Sequence, residues 1–302
     1  MIQTIEVTKS GARIDAYLAE NMENITRSYI SQLLADNRIT VEGVTKLKAS
    51  YKVKEGDIIN VDVPPPVMTE TLPQDIPLDI VYEDDDLIII NKPQGMVVHP
   101  ACGHHEDTLV NALLHHCQGN LSDINGVIRP GIVHRIDKDT SGLMVACKNN
   151  ETHQALADMM SRHEVVRRYR CVVHGVLASD KGTIDAPIGR SSTDRRKMTV
   201  TEDGKPSVTH FQVVKRYRDA TDVELLLETG RTHQIRAHMT YIGHPLIGDP
   251  VYSGRRNTYG LEGQCLHSKS ISFVHPRTNE TISFEVDLPE YYKTLLNKLI
   301  EI

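Results

Sequence analysis

His134-Arg135-Ile136-Asp137-Lys138-Asp139-Thr140-Ser141-Gly142-Leu143-Met144-Val145 begins polar and ends in an apolar run that continues to Cys147. The change of character falls at Thr140-Ser141-Gly142. Glycine takes positive φ without steric cost, so a tight polar loop can feed here directly into a buried strand. One His, one Arg and two Asp thereby sit on a loop braced by a strand, a place from which binding and catalytic groups are presented. Residue type alone leaves Asp137 and Asp139 open as the working carboxylate.

Downstream, Asn149-Asn150 can cap a helix over residues 151–162, with Ala155, Leu156, Met159 and Met160 apolar. Residues 165–175 alternate loosely, as a half-buried strand would, and carry Tyr169. Residues 183–206 are rich in Gly, Ser, Thr and Arg and read as a mobile basic loop. Residues 211–214 and 223–227 read as paired antiparallel strands. In Leu227-Glu228-Thr229-Gly230-Arg231-Thr232-His233-Gln234-Ile235-Arg236-Ala237-His238-Met239, Gly230 ends a strand and Thr232 is a candidate N-cap. Ile235, Met239 and Ile242 would share a helix face, with Arg231 and Arg236 near a helix start that favours anions. Gly243 to Pro250 breaks this helix; strands at 271–274 and 282–286 and a helix after Pro289 close the chain.

Upstream, Leu87-Ile88-Ile89-Ile90 is a short strand between Glu83-Asp84-Asp85-Asp86, read as turn and solvent carboxylates, and Asn91-Lys92-Pro93-Gln94-Gly95. Asp107-Thr108 caps a helix with Leu109, Leu113 and His116 on one face. Five of the fourteen prolines lie within residues 64–77, an extended linker, since proline lacks a donor and fixes φ. Before it, Ile14, Tyr17 and Leu18 have helical spacing, and Thr26 can cap a second helix that turns Ile30, Leu33 and Leu34 inward. Short strands around Ile39, Val41, Val53 and Ile59 to Val63 follow, with Arg27, Ser28, Arg38, Lys46 and Lys48 exposed. The expected domains are therefore 1–66 and 78–302, joined by residues 67–77.

At 302 residues the chain is long enough for a large domain plus a small one. No apolar run approaches the ~20 residues of a bilayer span, and Met1 to Glu6 has no signal-peptide character. Five scattered cysteines without CxxC spacing suit reduced thiols in the cytoplasm. The net charge of -6 argues mildly against nucleic acid. Residues 162–197, however, hold nine Lys/Arg against four Asp/Glu, enough for a local basic face. Cys102, His104, His105, His115, His116 and Cys117 could offer zinc ligands, but adjacent histidines diverge on a helix and no ligand spacing recurs, so no metal is expected.

Asn91-Lys92-Pro93, His134-Arg135-Ile136-Asp137, Tyr169 in its strand and Gly230 to Arg236 stand in one order behind residues 12–63, which look like an S4 RNA-binding domain. Together they resemble the RluA/RluD family of RNA pseudouridine synthases along nearly the whole chain. The resemblance implies an α+β protein: an S4-like RNA-binding domain followed by a mixed, mainly antiparallel catalytic domain. It implies an enzyme that isomerises uridine in RNA without cofactor or metal, in large-subunit ribosomal RNA, with tRNA as the alternative; the sequence leaves the oligomeric state open, and a monomer is expected. Asp137 would be the nucleophile or the carboxylate that stabilises an oxocarbenium-like sugar. Arg236 would hold it ionised and oriented. Tyr169 would stack on the detached base. Extruding a base from structured RNA costs a few kcal/mol. Arg135 would fill the vacated stack, and His134, Arg231, Arg27 and Arg38 would contact RNA. Two positions depart from the family pattern: Ile136 stands where Leu is usual, and Arg167 where Lys often precedes the tyrosine by two residues. The competing classes are a non-catalytic RNA-binding protein and a metal-dependent hydrolase.

Overall fold

Apolar positions at helical spacing build the first of two compact units, Met1–Thr69 and Glu70–Ile302. The computed structural model describes residues 2–22, 27–45, 47–62, 71–100, 104–124 and 129–302. Thr26, Lys46, Cys102 and the prolines at 64–66 lie outside the described residues, as does the side chain of Ser28. In the first unit, α1 (Ile14–Asn21) and α2 (Arg27–Ala35) lie with a three-stranded antiparallel sheet in the order β1 (Ile2–Glu6), β3 (Ile58–Asp62), β2 (Ile39–Val41). Ile14, Tyr17 and Leu18 from α1 and Ile30, Leu33 and Leu34 from α2 are buried with Ile39, Val41, Val53, Ile59 and Val61. The strand β1 was not expected from the sequence; its two-sided polar alternation is weak, and pairing with β3 supplies what propensity does not.

The second unit is organised on a nine-stranded sheet. Its strands are β4 (Ile80–Glu83), β5 (Leu87–Lys92), β6 (Ser141–Cys147), β7 (Val166–His174), β8 (Lys181–Asp185), β11 (Val208–Arg216), β12 (Ala220–Leu227), β13 (Leu266–Val274) and β14 (Thr281–Glu285). They run in the order β4-β5-β6-β13-β7-β12-β11-β8, with β14 beside β13. Every pairing is antiparallel except β6 with β13. A hairpin of β9 (Ile188–Arg190) and β10 (Met198–Val200) stands apart from the sheet. All seven residues of β6 are buried, which is why Leu143 to Cys147 reads as a continuous apolar run and not as alternation. On one face, α3 (Leu109–His116) and α5 (Gln234–Tyr241) cover Ile88, Ile90, Met144, Tyr169 and Leu225. On the other, α4 (Asn150–Ser161) and α6 (Glu290–Lys298) supply Leu156, and Tyr292 with Leu295. Burying Ile235 and Met239 stabilises α5 by about 1.5–3 kcal/mol per side chain, so the helix is a firm support.

The caps Thr108 and Asn149 stand where the sequence puts them, and α6 follows Pro289 as expected. Three local expectations are corrected. The segment 183–206 is not a plain mobile loop: it contains β9 and β10 and is held by Tyr252. The N-cap of α5 is His233, in the left-handed region at φ 55, and not Thr232. Asp86 is not a solvent carboxylate but is buried, accepting from Asn149 and Arg277, while Asp84 caps the backbone N–H of Asp86 and Leu87. Residues 72–76 are also tied to α3: Asn111 donates to the Leu72 carbonyl at 2.7 Å and accepts from Gln74 N–H at 3.0 Å.

Candidate active site

Gly142 sets the spacing of the site. It pairs with Ser268 across the parallel β6–β13 contact, and Ser268 pairs with Tyr169 on β7. Its φ is +106, and a Cβ there would lie 2.2 Å from the Ser268 carbonyl oxygen. Only glycine allows this approach, and through it β6, which follows the Asp137 loop, is pressed against β13, the neighbour of the strand that carries Tyr169. The loop is held from its other side by Lys92, fully buried, whose ammonium donates to the carbonyls of Pro93, Met96 and Lys138 at 2.8, 2.9 and 3.0 Å. Burial pushes Lys92 down to about 7 against the opposing charges of Asp139 and Asp137. Gly95 N–H also donates to Lys138, and Gln94 donates to the Asp139 carbonyl.

These contacts separate the two aspartates that residue type left open. Asp137 lines a cavity of about 470 Å³. Asp139 lies against Gly263, where an added Cβ would meet its own Cβ at 2.6 Å. Asp137 Oδ2 accepts from Arg236 Nη1 at 2.9 Å; its Oδ1 has His233 Nε2 at 3.9 Å, beyond hydrogen-bond length. Arg236 sits on α5 and is 4% exposed. Its Nε and Nη2 donate in a fork to Asp249 at 2.7 and 3.0 Å. Burial opposes the charge on Arg236, but the hydrogen bonds and charges of Asp249, and then Asp137, outweigh it and push its pKa up. Asp249 is itself fixed by the backbone N–H groups of Val251 and Tyr252. Tyr252 completes the support: its ring centroid is 5.1 Å from the Arg236 guanidinium, and its hydroxyl exchanges hydrogen bonds with the Met198 backbone. The result is one carboxylate oxygen clamped and one presented to the cavity.

Tyr169 is 5% exposed and lies on the cavity floor, where burial pushes its phenol up. The same floor holds Ile136, Ile235 and Leu266. Arg135 and Arg231 line the cavity and are exposed. Arg135 Nη1 lies 3.3 Å from Nε2 of His99, and Arg231 Nε donates to the Pro206 carbonyl at 3.2 Å. Burial and the charges of Arg135 and Arg129 push His99 down to about 4, so it meets Arg135 as a neutral acceptor. His134 also lines the cavity, but its Nε2 accepts from Val145 N–H at 3.1 Å, an internal brace of the loop. Burial and the charge of Arg167 push it down to about 3, so the side chain expected to contact RNA is neutral and already engaged. In the first unit both arginines face carboxylates: Arg27 is 3.0 Å from Asp15, which Arg13 also grips, and Arg38 is 2.7 Å from Asp62.

The histidine and Cys117 patch around α3 forms no metal-ligating group among the described residues. The group that does converge, Asp84, Asp86 and His275, is spent on hydrogen bonds to Tyr82, backbone N–H groups, Asn149 and Arg277.

Sequence reading alone missed Asp249, Tyr252, Gln234 and His99, and treated Arg167 only as a departure from a pattern. Asp249 is a single carboxylate in a Gly/Pro-rich turn with nothing local to mark it. Gln234 is buried and staples the strand to the helix, accepting from Thr229 and from Arg231 N–H. A glutamine at the first position of a helix that follows a Thr-Gly pair is a signal that could have been read.

Comparison with known proteins identifies the family. A family model described as RNA pseudouridylate synthase matches residues 86–241, and an S4 domain model matches residues 12–59. An uncharacterized RNA pseudouridine synthase, YlyB, of Bacillus subtilis is 51% identical over 299 residues, covering 98% of each chain. The ribosomal large subunit pseudouridine synthase D of Zymomonas mobilis is 43% identical, covering 96% of this chain and 94% of that protein. Among solved structures, human RNA pseudouridylate synthase domain containing 1 superposes with a TM-score of 0.57 at 26% identity, over 70% of this chain and 83% of that one. With a family match across more than half its length and relatives of this identity, the chain belongs to the RNA pseudouridylate synthase family, an S4 domain preceding the synthase domain.

Proposed function

We propose that this enzyme isomerises uridine to pseudouridine in large-subunit ribosomal RNA, with Asp137, Tyr169 and Arg236 as its catalytic residues. The observation that carries the reading is the half-clamped Asp137 carboxylate at a cavity large enough for one nucleotide. Arg236 fixes Oδ2, so Oδ1 is the oxygen that meets the sugar or the ring of an extruded uridine. Tyr169 lies under the base, and Arg135 and Arg231 at the exposed rim suit the vacated stack and the flanking phosphates. His134 serves by holding the loop. The reaction is redox-neutral: the N1–C1′ bond breaks, the base turns, and C5 replaces N1 while its hydrogen leaves, so no cofactor is required.

Ribosomal RNA is favoured over tRNA because relatives covering nearly the whole chain carry that name. The working parts we propose are an RNA-gripping S4-like unit to residue 66, using Arg27 and Arg38, a linker at 67–77 and a catalytic domain at 78–302, acting as a cytoplasmic monomer. The compact unit through residue 69, the free buried cysteines and the lack of a membrane-spanning helix among the described residues support this division and location.

The test incubates purified wild type and Asp137→Asn with unmodified ribosomal RNA and tRNA in chelator. Pseudouridine is then mapped by carbodiimide adducts and reverse-transcription stops. Stops on large-subunit RNA with wild type only are expected. Stops confined to tRNA would move the substrate, and none on either RNA, with binding intact, would refute the enzyme on these RNAs.

A further inference from the structure

Arg167 is a charged side chain that the mechanism above does not use. It lies on β7 two residues before Tyr169, so both point to the same face of the strand. It lines the same cavity and is only 7% exposed. Its Nε is buried without a hydrogen-bond partner, and no carboxylate lies within ion-pair distance of its guanidinium among the described residues. Gly230 makes room for it: a Cβ at 230 would sit 2.9 Å from Arg167 Nη1. A buried cation left unpaired is costly, since one partner's absence leaves the desolvation uncompensated. Such a group is expected where a ligand supplies the missing charge or acceptor.

Depth decides which part of an RNA that is. Arg135 and Arg231 at the exposed rim are placed for phosphates, whereas Arg167 shares the floor with Tyr169, Ile136 and Leu266. The group that reaches the floor is the extruded base. When the N1–C1′ bond breaks, the bonding electron pair stays on the ring, and its charge spreads onto the O2 and O4 carbonyl oxygens. The pair is returned when C5 bonds to C1′, C5 gives up its proton and N1 takes one. We propose that the Arg167 guanidinium donates hydrogen bonds to a carbonyl oxygen of the extruded uracil and holds the negative charge that gathers on the base while it is detached. The inference rests on the synthase reading of this cavity. It makes Arg167 a catalytic residue, a preorganised donor aimed at charge that develops during the reaction.

The test compares wild type, Arg167→Met, Arg167→Lys and Gly230→Ala on ribosomal RNA. Single-turnover release of tritium from C5-labelled uridine follows the chemistry, and filter binding from 50 to 300 mM salt follows the RNA. Wild-type turnover in the same assay is the control for the synthase reading; its absence would refute that reading and leave this one without a reaction. With turnover present, Arg167→Met is expected to slow the chemical step about a hundredfold or more, the scale for loss of one such donor. RNA affinity should stay within about threefold and its salt slope should not change, whereas Arg167→Lys should recover at least tenfold of the rate. Weakened binding with a shallower salt slope would assign Arg167 to a phosphate and overturn the proposal. An unchanged rate, or a lysine variant as slow as the methionine one, would overturn it too. Should Arg167→Met fail to fold, Gly230→Ala decides, since it displaces the guanidinium while keeping the charge: unaltered chemistry in that variant refutes the proposal.

Discussion

Removing the Asp249 carboxylate should disable Asp137 without touching it. Asp249 is 1% exposed and Arg236 4%, joined by two hydrogen bonds of 2.7 and 3.0 Å. Deleting one partner of a buried pair costs about 3–5 kcal/mol, because the other charge is left buried. Here Asp137 still faces Arg236, which favours the lower end of that range. The backbone N–H groups of Val251 and Tyr252 lose their acceptor as well, adding about 1 kcal/mol. Asp249→Ala is therefore expected to cost about 4 kcal/mol, and Asp249→Asn, which keeps the shape and one acceptor, about 2 kcal/mol. At about 2–4 °C per kcal/mol for a domain of this size, the alanine variant should melt about 8–16 °C lower.

The kinetic effect follows from the same geometry. Freed from Asp249, the Arg236 fork can turn both arms on Asp137 and occupy Oδ1, the oxygen left for substrate. Single-turnover tritium release should fall at least a hundredfold even well below the melting temperature, the scale of losing one catalytic alignment. Thermal and urea unfolding, with the double variant Arg236→Met/Asp249→Leu, complete the experiment. Replacing both charges by apolar groups should recover stability relative to Asp249→Ala while leaving the enzyme inactive. An alanine variant within 1 kcal/mol of wild type, or one with wild-type turnover, would refute the clamp.

Gly142→Ala should cost at least about 3 kcal/mol in urea unfolding, since its Cβ meets a backbone oxygen at 2.2 Å and its φ is +106; full stability would show that β6 and β13 need not approach so closely. Protonation of His134 is held down to about 3 in the folded chain and occurs near 6.5 once unfolded. The unfolded state therefore binds more protons between these values, and the stability due to neutral His134 is present above about 6.5 and lost as pH falls toward about 3. Between pH 6.5 and 4.5 His134→Gln should lose about 2 kcal/mol less stability than wild type in urea titrations, and an equal loss would place the acid sensitivity elsewhere.

How much of this could be read beforehand depended on the range over which each interaction acts. The caps Thr108 and Asn149 bind N–H groups three residues on, so their identity and their partners lie in one window of sequence. Leu143 to Cys147 announced a strand covered on both faces, because continuous apolar character survives without its neighbours. The hairpin β9–β10 did not announce itself: residues 188–200 have little apolar alternation, and it is Tyr252, far along the chain, that holds Met198 by two hydrogen bonds. Likewise β1 exists through its register with β3.

The candidate site shows the same division, and its charges explain why. Asp137, Tyr169 and Arg236 were singled out through the family resemblance of the short strings that hold them, since residue type alone left Asp137 and Asp139 open. What makes them a site lies between the strings. Asp137 and Asp249 share one guanidinium, a buried group with one negative charge in excess, and Arg167 lines the same cavity with one positive charge and, among the described residues, no ion-pair partner. These four charges sum to zero but are not all in contact, and the cavity rim adds the cations Arg135 and Arg231. A substrate that becomes positive at the sugar and negative at the ring as its bond breaks would place each developing charge against its opposite, the sugar toward Asp137 and the ring toward Arg167. That polarity cannot be read from composition, where Asp137 and Asp139 are the same residue and Arg167 is one of many arginines. It arises only when the sheet brings β6, β13 and β7 side by side and the glycines at 142 and 230 let the two halves come near enough to face one reacting bond.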